Sequence, residues 1–150
     1  MAQASGFSLT LLLVLMLVVI AGCGDTGSSI SKSDIAGVEW QWSELKETQP
    51  TSQSVVPDPA NYTLVFQPDG MIGIQADCNL VGGSYTLEGD SLSIELGPST
   101  MAFCGEESLD QQYLASLGNV ESASLENGRL VLHLKGDAGK MVFNNGGPSE

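Results

Sequence analysis

The sequence predicts a small, mainly β domain of the α+β class, in which short antiparallel strands carry a single helix. Two observations point to the strands. Apolar and polar residues alternate in short runs from Val38 to Phe143, and Asp69-Gly70, Gly82-Gly83, Gly89-Asp90 and Asn127-Gly128 separate many of these runs with residues that tight turns favour. The third observation gives the helix: apolar spacing of helical period occurs once, at Leu109, Tyr113 and Leu117.

Before the first strand, Leu9 to Ile20 is apolar except for Thr10. Twelve residues are too few for a spanning helix, which needs about 20. The run ends in Ile20-Ala21-Gly22-Cys23, a pattern that resembles the lipobox of bacterial lipoproteins, in which the cysteine thiol accepts a diacylglyceryl group. No Lys or Arg precedes the run, which departs from the usual signal-peptide start. The alternative is an ordinary cysteine at the end of a plain signal peptide or of an uncleaved anchor. The lipobox reading divides the chain into a signal peptide (1–22), lipidated Cys23 with a flexible tether (23–37), a folded domain (38–143) and a frayed tail (144–150). Gly24 to Ser33, rich in Gly and Ser, has little apolar surface to bury and suits a tether.

Val38, Trp40 and Trp42 share one face of the first strand, with Glu39, Gln41 and Ser43 on the other. Lys46 to Ala60 contains Pro50, Pro57 and Pro59 and is predicted to be a long surface loop with a binding role. Tyr62, Leu64 and Phe66, a Gln67–Gly70 turn, and Ile72, Ile74, Ala76 and Cys78 make a hairpin. Gly82-Gly83 bends the chain before Tyr85 and Leu87, and Leu92, Ile94 and Leu96 complete a meander. The helix opens with Ser108 and Gln111 in capping-box spacing and stops at Gly118. Ala123 and Leu125, the Asn127-Gly128 turn, Leu130 to Leu134, and Met141 to Phe143 give the last strands, about eight in all.

All 18 acidic and 5 basic residues follow Cys23, so the net charge of −13 belongs to the part beyond the apolar run. Such a surface repels phosphate backbones and argues against nucleic-acid binding. No catalytic, metal or cofactor residues are assigned. His133 alternates with Leu132 and Leu134 and is expected to face solvent, and no nucleophile elbow, zinc spacing, phosphate loop or calcium loop occurs. Asp77 and Asn79 flank Cys78 and suit a polar site or local backbone bonding.

Residues 38–143 resemble a META domain of the HslJ-like family, found in many bacterial envelope lipoproteins. The resemblance is carried by Trp40, Leu64 to Gly70, Ala76-Asp77-Cys78-Asn79, Gly83-Ser84-Tyr85, Leu92-Ser93-Ile94 and Ser99-Thr100-Met101-Ala102-Phe103-Cys104. Asp77 stands where family members usually carry Gly, and Thr100 directly precedes Met101 where one residue usually intervenes. The resemblance implies an antiparallel, partly open β-barrel with one helix against it, similar to lipid-anchored pilotins of type III secretion, and no agreed enzymatic activity. The resulting expectation is a non-enzymatic envelope lipoprotein, held on a membrane by its lipid, whose barrel mouth and Pro-rich loop bind a protein or an apolar ligand. A structural or stress lipoprotein with no dedicated ligand is the alternative. With Cys23 lipidated, Cys78 and Cys104 remain as an even pair in an oxidising compartment and are expected to form a disulfide, against the alternative of two buried free thiols.

Overall fold

The computed structural model describes Met1 and residues 29–149. Cys23 and the apolar run before it lie outside the described residues. The domain is a ring of antiparallel strands: β1 (Val38–Thr48), β2 (Thr51–Val55), β3 (Tyr62–Phe66), β4 (Met71–Ala76), β5 (Asn79–Glu88), β6 (Ser91–Ser99), β7 (Val120–Glu126), β8 (Arg129–Leu134) and β9 (Gly139–Pro148). Helix α1 (Lys32–Ile35) precedes the ring and α2 (Asp110–Leu117) lies between β6 and β7. Neighbouring strands in the sequence pair from β3 to β9, and β9 returns to β1 to close the ring. Closure is uneven, because β6 and β7 share only the Ser91↔Ser122 pair and then diverge. The sequence-based expectation of a mainly β, partly open barrel with a packed helix therefore describes the architecture, with nine strands in place of about eight.

β1 organises the ring. Along one edge it pairs with β3 through Glu39 to Gln41 and with β2 through Glu44 to Thr48, and along the other it pairs with β9. A register shift between Trp42 and Glu44 moves the inward face from Trp40 and Trp42 to Leu45. Ser43, predicted to lie on the outer face, is buried at this bulge, where its hydroxyl donates to the Val142 carbonyl at 3.0 Å.

The interior is filled. Trp42 stacks on Tyr113 with centroids 5.1 Å apart, and Tyr62 meets both rings edge-on. Phe66, Leu64, Leu92, Leu130, Leu132, Met141 and Phe143 are also fully buried. The barrel mouth, expected to be open to a ligand, is occupied by α2 through Tyr113 and Leu117, because these apolar residues of its stripe must leave water.

Four local expectations are corrected. The Pro-rich stretch from Lys46 to Ala60 is largely a β1–β2 hairpin rather than a long loop. Its prolines fall in the turn and beyond the strand, while β2 bonds only to β1 and so meets the edge-strand condition that Pro imposes. The tail predicted to fray at Asn144 continues as strand to Pro148, paired with β1 as far as Val38. The tether predicted to reach residue 37 ends earlier, since Ile30 and Ile35 are buried and Trp40 donates its indole N–H to the Ile35 carbonyl at 3.0 Å. The Ser108 capping box does not form: Leu109 is the N-cap, and the Ser108 hydroxyl accepts from the Asp110 amide at 3.3 Å.

Candidate functional site

At one end of the ring, the β4–β5 turn meets the chain that leaves β6. Asp77, the first residue of that turn, has φ of +57°, a left-handed conformation open to Gly and tolerated by Asp. This explains why Asp can stand where the motif usually carries Gly. Cys78, the next residue, forms the expected disulfide with Cys104, with Cα atoms 5.5 Å apart.

Asn79 is buried and fastens the facing segment. Its side-chain carbonyl accepts from the Ala102 amide at 2.8 Å and the Thr100 hydroxyl at 3.1 Å, while its side-chain amide donates to the Ala102 carbonyl at 3.0 Å. The Leu80 amide donates to the Thr100 hydroxyl at 2.9 Å, and the Thr100 amide donates to the Leu80 carbonyl at 3.0 Å. Beyond the cysteine, the Tyr62 hydroxyl accepts from the Leu109 amide at 2.9 Å and faces an Asp77 carboxylate oxygen at 3.3 Å. Asp77 and Asn79 are thus brought together with the 99–104 motif, and Asn79 bonds a backbone 23 residues away in place of its own turn.

Thr100, Ala102 and Cys104 are the fastened positions, so the residues between them project outward. Met101 is 95% and Phe103 84% exposed, the largest exposures among the large apolar side chains described in the folded part. Two depressions flank Phe103, and both are also lined by Asp110 and Gln111. One, of about 440 Å³, adds Met101 and Leu114, and the other, also about 440 Å³, adds Cys104 and Glu106. The five basic residues are Lys32, Lys46, Arg129, Lys135 and Lys140, so the stretch from Ser99 to Gly118 contains Glu106, Glu107 and Asp110 and no cation. Sequence reasoning picked out residues 99–104 as a motif but missed the exposure of Met101 and Phe103. The signal available was the alternation of fastened and free positions, which has meaning only once Asn79 is opposite.

Other titratable groups lie elsewhere. Burial pushes the Tyr113 phenol well above its ordinary pKa, and its hydroxyl has no hydrogen-bond partner. Burial, and secondarily the Asp69 charge, raise Tyr85, whose hydroxyl donates to the Gln67 carbonyl at 2.7 Å. His133 is half-buried on β8 with Nε2 3.2 Å from the Ser124 hydroxyl. Among the described residues no group of three or more His, Cys, Asp and Glu side chains is placed to hold a metal ion.

The model of the META domain matches residues 33–145, which takes in the whole ring but for the last residues of β9. The chain belongs to the META domain family. No curated protein matches it. Among solved structures, this META domain is similar to a protein from Burkholderia xenovorans determined by NMR, with TM-score 0.61 and 21% identity over 76% of this chain and 85% of that one. It is also similar to a DUF4847 family protein from Bacteroides vulgatus, with TM-score 0.59 and 12% identity over 79% of this chain and 99% of that one. At these identities the likeness extends to the fold.

Proposed function

We propose that the protein is a lipid-anchored lipoprotein of the bacterial cell envelope whose META domain is a non-enzymatic module that binds another envelope protein. The observation that carries this reading is a pair of exposed apolar side chains, Met101 and Phe103, on a segment fixed by a disulfide and by Asn79. Fixing a loop before it meets its partner lowers the ordering cost of association, and large apolar side chains on such a loop have the character of binding hot spots. The filled interior directs the binding role to this outer surface rather than to the barrel mouth.

The entry point of the chain supports the same reading. The Ile30 amide donates to the Asp90 carboxylate at 3.2 Å, and Asp90 belongs to the turn that begins β6. The fastened loop begins at the other end of that strand, and the eight steps of its nine residues, at about 3.3 Å each, separate the two by about 26 Å. Six residues, Gly24 to Ser29, lie between Cys23 and Ile30, a reach of at most about 25 Å when extended. A lipid on Cys23 would keep the Asp90 end within about 25 Å of the bilayer, with Met101 and Phe103 at the opposite end of β6 from the attachment point.

The test uses full-length protein in cells of a lipoprotein-processing bacterium. Mass spectrometry is expected to find lipid on Cys23, and Cys23→Ser is expected to leave an unacylated, unprocessed precursor. A photo-reactive residue in place of Gln111 is expected to give a discrete protein adduct that the same residue at Val55 does not give. Absence of lipid overturns the anchoring, and absence of any Gln111-specific adduct overturns the binding module in favour of a structural lipoprotein with no dedicated ligand.

A further inference from the structure

We infer that the loop around Phe103 docks a short segment of a protein partner in which an apolar side chain lies close to a Lys or Arg. The inference rests on the binding reading above and specifies the chemistry of the occupant. Phe103 stands between two depressions of similar size and different character. On one side, Met101 and Leu114 offer an apolar seat, which Asn79 and Asp110 also line, with the Asn79 amide donating to the Asp110 carboxylate at 3.4 Å. On the other, Glu106 joins Asp110 beside Phe103, Cys104 and Gly105. About 440 Å³ holds one large side chain with room for its approach, so each depression suits a single residue of a passing segment.

Charge selects among the occupants of such a surface. None of the three ion pairs among the described residues, Lys46–Glu44, Arg129–Glu44 and Lys140–Glu126, involves Glu106 or Asp110, so neither carboxylate is neutralised by a cation of its own domain. An anionic bilayer and a second copy of this chain, with its net charge of −13, both meet repulsion here. A segment bearing a cation beside an apolar anchor meets attraction in one depression and burial in the other.

The experiment titrates full-length protein in neutral detergent with fluorescent peptides of about ten residues, each containing one Leu and one Arg at varied spacing in a Gly-Ser background, a length on the scale of the short segments that docking grooves accept. At least one spacing is expected to bind saturably. Phe103→Ser and Met101→Ser are expected to weaken it about tenfold, the effect of withdrawing one large apolar side chain from a contact. Glu106→Gln is expected to weaken the Arg peptide about threefold and to leave its Arg→Gln counterpart unchanged. All three substituted side chains lie on the surface, and unchanged circular dichroism checks their folding. Equal affinity for an Arg→Glu peptide, affinity that survives loss of both Met101 and Phe103, loop-dependent binding to phosphatidylglycerol vesicles, or self-association through the loop would overturn the inference. Failure of every peptide alongside a Gln111-specific adduct in cells refutes the chemistry assigned to the occupant and leaves the binding module standing. Failure of both refutes both.

Discussion

Replacing Asn79 with Ala removes the side chain that fastens the loop, and its cost can be worked from the contacts. Beside longer contacts to the Cys104 sulfur at 3.3 Å and the Asp110 carboxylate at 3.4 Å, three hydrogen bonds of 2.8 to 3.1 Å are lost, to the Ala102 amide, the Ala102 carbonyl and the Thr100 hydroxyl. At about 0.5–1.5 kcal/mol each, they contribute about 1.5–4.5 kcal/mol. Thr100 and Ala102 are exposed, so water can take over their freed groups, which puts the loss near the lower end, at about 2 kcal/mol. For a domain of this length that corresponds to a fall in Tm of about 7 °C. Urea unfolding followed by tryptophan fluorescence measures it. The same substitution in a background with Cys78→Ala and Cys104→Ala is expected to cost less than half as much, because without the bridge the bonds of Asn79 must also order the loop that they hold. A loss below about 0.5 kcal/mol, or additivity within that margin, would show that the two fastenings do not act on one segment and refute the reasoning.

Removing the disulfide alone is expected to cost about 3.5 kcal/mol by the chain-entropy relation for its separation of 26 residues, read from the urea midpoint of the doubly substituted protein. Tyr113→Phe removes a buried hydroxyl with no partner and is expected to leave stability unchanged or raise it by about 1 kcal/mol. Because burial raises the Tyr113 pKa in the folded state, the unfolded chain loses this proton first. Stability is therefore fully present below about pH 10 and falls as pH rises beyond it, so Tyr113→Phe is expected to flatten that alkaline loss in unfolding measured across pH. Gly83→Ala brings a Cβ against the Glu95 carbonyl and to 3.2 Å from Ile72, in the middle of the β5–β6 pairing, and is expected to destabilise by about 2 kcal/mol or more in the same assay.

The strands with an apolar inner face were legible because burial imposes a period of two on them. Tyr62 to Phe66, Ile72 to Ala76 and Leu130 to Leu134 all appear where alternation puts them. β2 and the end of β9 were not, and the cause is the same in both. Thr51 to Val55 is largely exposed and Asn144 to Pro148 lacks any large apolar residue, so what holds each in place is pairing with β1, a distant partner that leaves no local periodicity. One trace of that pairing is Gly146, where a Cβ would lie 2.8 Å from the Gln41 side-chain amide. At the candidate site, counting cysteines was enough to pair Cys78 with Cys104. The function of Asn79 was hidden because its partners are 21 and 23 residues ahead, and the prominence of Met101 and Phe103 follows from those bonds.

The return of β9 to β1 bears on how the domain can be assembled. One whole edge of β1, the longest strand, receives its partner from residues 139 to 148, the last strand of the ring. A chain that emerges from its N-terminus keeps Trp42 and Leu45 without their neighbours Phe143 and Met141 until the other strands of the ring have all arrived. The first strand made is then the last completed, and contacts so far apart in the chain make for slow closure. A chain that stops at Lys135 would lack the partner of both β1 and β8, with two sheet edges exposed and ready to pair with other molecules. The ring thus acts as a check on the making of the domain, since its seam can be sealed only by a chain that has been made through β9.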